Sequence, residues 1–149
     1  MRSRHASAWD SPGFLLWHAT LRWQRAMRTA LAPHGLTHVQ FVLLASAWWL
    51  GEHGEQPAQR RLAEHAGTDA MMTSQVVRAL ERQGLVERLR DPGDARSVRV
   101  TVTPAGRERL RGALAGVEAA DADFFADVAD EALVPKLRTL AGRGAPAGA

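Results

Sequence analysis

The segment 84–104 contains arginines interspersed among apolar residues, and the guanidinium group of arginine binds phosphates and base edges. Within it Arg96 stands two residues after Asp94, and a carboxylate at that distance can orient a guanidinium and limit the rotamer entropy it loses on binding. A pre-oriented arginine fits the narrow minor groove of duplex DNA, where the negative potential is strongest. We expect three further arginines to follow the phosphates nearby: Arg88, Arg90 and Arg99. The alternative is a surface salt bridge of little energetic value.

A second group of polar side chains lies just upstream, on a predicted helix that begins at residue 69 or 70 and ends at 83. Its inner face is marked by residues at i, i+3, i+4 and i+7: Thr73, Val76, Val77 and Leu80. Beside the outward-pointing Met71 and Met72, four outward side chains can bond to a base edge or a phosphate: Ser74, Gln75, Arg78 and Arg82. Glutamine can pair with adenine in bidentate fashion, and arginine with guanine. For any one of them, an ordinary solvated helix face is the alternative.

These two groups require a helix-turn-helix followed by a hairpin to position them. A short helix is predicted to start at Pro57, and a turn over 67–69 leads into the helix described above. Gly84 is expected to end that helix in the position after its C-cap. Strands over about 85–90 and 97–102 follow, the second with the period-2 alternation of a half-buried strand. This order of elements predicts a winged helix-turn-helix.

Helical patterns flank this unit on both sides. One helix is predicted over about 11–32, and a very apolar helix over about 38–50 opens with Thr37 in a capping box. Because the second helix is apolar on both faces, we expect it to be buried on both sides, one of them a subunit interface or a pocket. Residues 104–141 are predicted to form a long helix, a break near Asp130 and a last helix.

Composition limits the classes of function. The 149 residues are enough for one compact domain with a hydrophobic core. The absence of cysteine excludes disulfides, thiolate catalysis and cysteine-ligated zinc, and the six histidines lack the tight spacing of a metal site. No apolar run approaches the ~18 residues of a membrane span and no signal peptide is visible, so a cytoplasmic protein without a membrane partner is expected. No catalytic motif indicates an enzyme, and no cofactor is expected.

Charge is distributed unevenly along the chain. Residues 57–111 contain eleven arginines against seven acidic residues, whereas 112–141 contain six acidic residues against one lysine and one arginine. This asymmetry is typical of a nucleic-acid-binding module joined to a part that stays off nucleic acid. Ordinary surface charge is the alternative.

Four stretches together resemble MarR-type transcriptional regulators: Arg61-Leu-Ala-Glu64, the helix end and strand start 78–88, the tip Asp91-Pro-Gly-Asp-Ala-Arg96, and the cap Val102-Thr-Pro-Ala-Gly106. The resemblance extends over about 11–141 and implies a homodimer whose first and last helices interlock, with two winged domains on a palindromic operator. It also implies that the wing arginine, here Arg96, reaches the minor groove while Asp94 steadies it. The family often has small or hydroxyl residues where Met71 and Met72 stand.

The predicted fold is therefore mainly α-helical with a small β-hairpin wing. A single MarR-like domain is expected between a mobile arm and a disordered, Gly/Ala/Pro-rich tail. The predicted parts are the arm at 1–10, the domain at 11–141 with its winged unit at about 37–103 and dimerisation helices at about 11–32 and 104–141, and the tail at 142–149.

Members of the family often bind small aromatic or anionic effectors between the dimerisation helices and the winged domain. The resemblance points here to three candidate ligand-binding residues: Trp17, His18 and Trp48. Packing in the core or the dimer interface is the alternative for these aromatic side chains. The sequence as a whole predicts a homodimeric repressor that binds double-stranded DNA and releases it when a ligand binds. A winged helix that binds proteins and not DNA is the other hypothesis, and such modules usually lack a basic recognition face.

Overall fold

The computed structural model describes residues 4–91, 93–94 and 97–142. Helices dominate this part of the chain, and a two-stranded antiparallel hairpin lies between the fourth and fifth, so the predicted fold class is confirmed. The elements are α1 (Pro12–Leu31), α2 (His38–Glu52), α3 (Gln59–Ala66), α4 (Ala70–Arg82), β1 (Val86–Arg90), β2 (Val98–Val102), α5 (Pro104–Phe125) and α6 (Leu133–Leu140). Within the described residues, no helix combines the length and apolar character needed to cross a membrane.

Local capping signals place the helix boundaries as the sequence predicts. The Thr37 hydroxyl accepts a hydrogen bond from the Gln40 amide at 3.3 Å, and Gln40 Oε1 accepts one from the Thr37 amide at 2.9 Å. This capping box starts α2, after Gly35 has turned the chain with a left-handed φ of 63°. α2 then contributes buried side chains on both of its faces, as predicted: Phe41, Leu43, Leu44, Ser46, Ala47 and Leu50.

The start of the helix-turn-helix differs from the prediction. Pro57 does not open α3; instead the Pro57 carbonyl accepts a hydrogen bond from the Val100 amide at 3.0 Å, and Ala58 forms a bridge with Arg99. Proline fits this extended geometry because its φ is fixed near −65° and its carbonyl remains free to accept. The pairing satisfies the edge of β2 that faces away from β1, and helix α3 begins only at Gln59.

A compact junction joins the hairpin to the long helix α5. Gly84 follows α4 with a left-handed φ of 70°, as predicted. The Thr103 hydroxyl donates to the Gly84 carbonyl at 2.7 Å and accepts from the Gly106 amide at 3.0 Å. The Thr103 amide donates to the Leu85 carbonyl at 3.1 Å. A Cβ at Gly106 would lie 2.0 Å from that same carbonyl oxygen, so the close approach requires glycine.

The terminal elements pack differently from each other. Helices α1 and α5 lie against one another, and the Trp23 indole donates to the Asp121 carboxylate at 2.7 Å. Helix α6 contributes no buried residue, and Pro135 is accommodated in its first turn. Residues 4–10, the described part of the predicted arm, include a short 3₁₀ helix in which the Trp9 ring lies 5.1 Å from that of Phe14. The mobility of that arm stays a prediction, and the predicted tail lies outside the described residues except for Gly142.

We predict that Gly106→Ala destabilises the protein by about 2 kcal/mol or more, because the added methyl group overlaps the Leu85 carbonyl oxygen and the junction must shift. Thermal unfolding at a fixed protein concentration measures the change. Gly116→Ala in the same helix is the matched control, since its Cβ would meet only the Ala30 carbonyl oxygen at an ordinary 3.8 Å. The free energy of unfolding of this control is expected to rise by up to about 1 kcal/mol, because alanine has a higher helix propensity than glycine. Equal effects of the two substitutions would contradict the role of Gly106.

Candidate nucleic-acid interface

Hydrogen bonds hold the N-terminus of α4 in a defined position. The Asp69 carboxylate caps the helix by accepting from the Met72 amide at 2.7 Å. The buried Thr73 hydroxyl donates to the Asp69 carbonyl at 2.7 Å and lies 2.7 Å from the Thr68 hydroxyl. The first turn of the helix is therefore anchored at both its backbone and its inner face.

The two faces of α4 differ sharply in burial. Thr73, Val77 and Leu80 are at most 1% exposed and pack on the core, while Val76 is half-buried. The opposite face carries four exposed side chains, which we call the α4 stripe: Met71, Gln75, Arg78 and Arg82. Ser74 is half-buried at the border between the faces. The structure thus brings Gln75, Arg78 and Arg82 together on one surface, as the spacing predicts.

Arg88 connects the hairpin to α4. Its Nε lies 2.8 Å from the Glu81 carboxylate, and both side chains are partly buried. An arginine engaged in this way orients β1 relative to the last turn of α4. Arg90, at the end of β1, is exposed.

Asp91 organises the tip of the hairpin. One carboxylate oxygen accepts from the Gly93 amide at 2.9 Å, and the other lies 2.8 Å from Arg99 Nε. The Gly93 hydrogen bond and then the Arg99 guanidinium hold the pKa of Asp91 below its ordinary value near 3.8. Arg99 also donates to the Gln56 carbonyl at 3.1 Å. The carboxylate therefore links the hairpin turn, β2 and the segment before α3.

Arg96 lies outside the described residues, so its predicted pairing with Asp94 stays a prediction. The backbone of Asp94 is placed, since its amide donates to the Asp91 carbonyl at 3.3 Å and its carbonyl accepts from the Ser97 amide at 2.8 Å. Sequence reasoning identified Asp94 but missed Asp91. The signal was available: an aspartate before Pro-Gly is typical of a turn in which the side chain accepts a backbone hydrogen bond.

The candidate ligand residues lie on two helices, α1 and α2, and their role in ligand binding stays a prediction. Trp17 is 60% exposed, and the half-buried His18 packs its ring 4.5 Å from Phe14 at the start of α1. Trp48 instead lines a cavity of about 370 Å³ between the end of α2 and the start of α5. The residues around it are Trp48, Glu52, Arg107, Leu110, Arg111 and Leu114. No metal-binding group of three or more His, Asp or Glu side chains occurs in the part of the chain that the structure describes.

The sequence matches the MarR family over residues 36–98, the span from the start of α2 into β2. It is also 50% identical over 116 residues to the HTH-type transcriptional regulator YdcH of Bacillus subtilis, an alignment that covers 78% of this chain and 79% of that protein. This protein belongs to the MarR family. It is a winged-helix, DNA-binding transcriptional regulator and not an enzyme.

Two further MarR relatives have solved structures. CouR from Rhodococcus jostii, solved with p-coumaroyl-CoA, is 31% identical with a TM-score of 0.80, and the match covers 97% of this chain and 99% of CouR. A transcriptional repressor named CouR, 26% identical to this chain with a TM-score of 0.80 and a match over 95% of this chain and 99% of that one, has been solved on a 23-mer DNA duplex. The Mycobacterium tuberculosis repressor Rv2887 is 33% identical over 120 residues, 78% of this chain and 82% of Rv2887. Its structure with salicylic acid has a TM-score of 0.63 and covers 90% of this chain and 96% of that one.

We predict that Asp91→Asn weakens DNA binding about three- to tenfold, because the loss of the ion pair lets Arg99 and the hairpin turn sample more conformations before binding. Faster hydrogen exchange at the Gly93 amide should accompany the loss. The pKa of Asp91 is lowered in the folded state, so the ionised carboxylate stabilises the fold fully at neutral pH. This stabilisation is lost only as the pH falls through the lowered pKa, below 3.8.

Glu87→Gln is the matched control, since it makes the same change of charge at an exposed position on β1. It should bind DNA at least as well as the original protein. Equal DNA affinities of Asp91→Asn and Glu87→Gln would show that charge alone, and not the turn, controls binding.

Proposed function

We propose that this MarR protein is a ligand-responsive repressor that binds a palindromic operator as a homodimer in the cytoplasm. The observation that carries the proposal is the α4 stripe, an exposed surface with one amide and two guanidinium groups, continuous in sequence with an arginine-rich wing. The opposite face of α4 is packed in the core, so the stripe is held rigidly. A rigid surface favours specific contacts with base edges over nonspecific contacts with phosphates. The relatives named as HTH-type transcriptional repressors support repression as the mode of regulation.

In this proposal the residues of the interface divide into those that contact DNA and those that hold the wing in place. Five residues contact DNA from α4 and the wing: Ser74, Gln75, Arg78, Arg82 and Arg90. Arg96 enters the minor groove with Asp94 beside it. Arg88 and Arg99 hold the wing through Glu81 and Asp91, and reach phosphates only with the edges of their guanidinium groups that these carboxylates leave open.

The homodimer is supported by apolar surface that one chain leaves uncovered. Phe14, Leu15, Leu16 and Trp17 at the start of α1 are all between 37% and 60% exposed. On α6 the exposed apolar side chains are Val134, Leu137 and Leu140. An eight-residue helix is too short to be stable without packing partners. A second copy of the chain that covers both ends would supply the missing contacts.

The cavity beside Trp48 supports the ligand-responsive part of the proposal. Its wall combines an indole ring, two leucines and the guanidinium groups of Arg107 and Arg111, a surface that fits an aromatic carboxylate. Arg107 bonds Glu52 at 3.1 Å and Arg111 bonds Glu108, so a carboxylate ligand would compete with protein carboxylates for both. Because the cavity lies between α2 and α5, an occupant can alter how the winged unit sits on the dimerisation helices.

The experiment combines operator binding with effector release. A duplex selected from a random library is titrated with protein by fluorescence anisotropy, and benzoate, salicylate and p-coumarate are then added. We expect tight, salt-sensitive binding, release by at least one of these acids, and a parallel change in tryptophan fluorescence. Arg111→Ala should keep the DNA affinity but raise the effector concentration for half-release about tenfold, the scale of a charge-assisted hydrogen bond.

Two results would contradict the proposal. A chain that enriches no duplex is not a sequence-specific regulator. A chain that binds its duplex but responds to none of the three acids, in either release or fluorescence, does not use this cavity for an aromatic carboxylate.

A further inference from the structure

Met71 is the most exposed of the large apolar side chains in the described residues, at 73%. The other large exposed apolar groups on α1 and α6 lie where a second copy of the chain is proposed to pack. Met71 lies far from both in sequence, at the second residue of α4, and it contributes nothing to the core. Its exposure therefore needs a different explanation.

The position of Met71 on the helix is specific. At about 100° per residue, the four members of the α4 stripe fall within a sector about 60° wide, and this sector lies opposite the buried face. Met72 falls about 60° outside the sector, on the flank away from Ser74, and is only 43% exposed. Met71 thus shares its surface with Gln75 and Arg78, whereas Met72 does not.

The backbone beneath Met71 is held firmly. It follows the N-cap Asp69 by two residues and is followed by Met72, whose amide bonds that cap at 2.7 Å. Thr73 anchors the inner side of the same turn. The side chain therefore projects from a fixed point at the N-terminal end of α4. In a helix-turn-helix, the N-terminal end of the recognition helix faces the bases.

The chemistry of the thioether selects its target. Met71 has no hydrogen-bond donor and only a weak acceptor, so it cannot read the polar pattern of base edges. The apolar group that the major groove presents is the 5-methyl group of thymine. We propose that Met71 recognises a thymine methyl group in each half of the operator, an inference that rests on the proposed reading of DNA by the α4 stripe.

The test replaces thymine by deoxyuridine, which removes the methyl group and leaves base pairing intact. A duplex is first selected with the original protein from a random library, and each thymine is then replaced in turn. We expect one symmetry-related pair of positions where replacement weakens binding about fourfold per half-site, the value for removing one buried methyl group. With Met71→Ala this penalty should disappear, and with Met71→Leu most of it should remain.

Met72→Ala is the matched control and should retain the deoxyuridine penalty. Because Met71 is exposed, Met71→Ala should unfold at the same temperature as the original protein, which separates a loss of recognition from a loss of structure. A selected duplex with no deoxyuridine penalty, or with one that persists in Met71→Ala, overturns the inference and leaves the reading of DNA by α4 intact. Failure to enrich any duplex overturns the proposed function itself, and the inference with it.

Discussion

The contact between Gly106 and the carbonyl of Leu85 determines how the two halves of the molecule meet. Gly106 belongs to the long helix that runs beside α1, and Leu85 stands between the end of α4 and the first strand of the wing. Because no side chain separates them, and because the Thr103 hydroxyl bonds both Gly84 and Gly106, α5 leaves the wing in one direction. In the proposed homodimer, which would pack through α1, α5 and α6, that direction sets the spacing between the two α4 helices.

A second set of contacts keeps α4 and the wing in one fixed relation. The Glu81–Arg88 ion pair ties the last turn of α4 to β1, and Asp91 ties the hairpin turn to Arg99 on β2. Partly exposed ion pairs contribute little to global stability, so their value lies in orientation. A wing that keeps its direction before binding loses less conformational freedom when it meets DNA. Recognition of an operator then depends on three connections. The Asp69 cap fixes the start of α4, the Glu81–Arg88 ion pair fixes α4 to the wing, and the Thr103 and Gly106 junction fixes the wing to α5.

Local patterns in the sequence were sufficient for most of this architecture. The Thr37 capping box, the buried spacing of α4 and the turn at Gly84 each depend on residues close together in the chain, and all were predicted. The pairing of Pro57 with β2 was not, because it joins segments about forty residues apart and proline is equally common at a helix start. Which side chains of α5 face Trp48 across the cavity likewise depends on how α2 and α5 pack together, and helical periodicity alone does not contain that information.

In the proposed complex, two copies of α4 and two wings read one symmetric duplex. Hydroxyl-radical footprinting on the selected operator tests it most directly. We expect two protected stretches of the sugar backbone, one where each α4 lies against the duplex, about one helical turn or a multiple of it apart, and an outer minor-groove protection on each side that disappears with Arg96→Ala. A one-sided footprint would mean that a single α4 reads the duplex, and outer protections that persist in that variant would mean that Arg96 does not enter the minor groove.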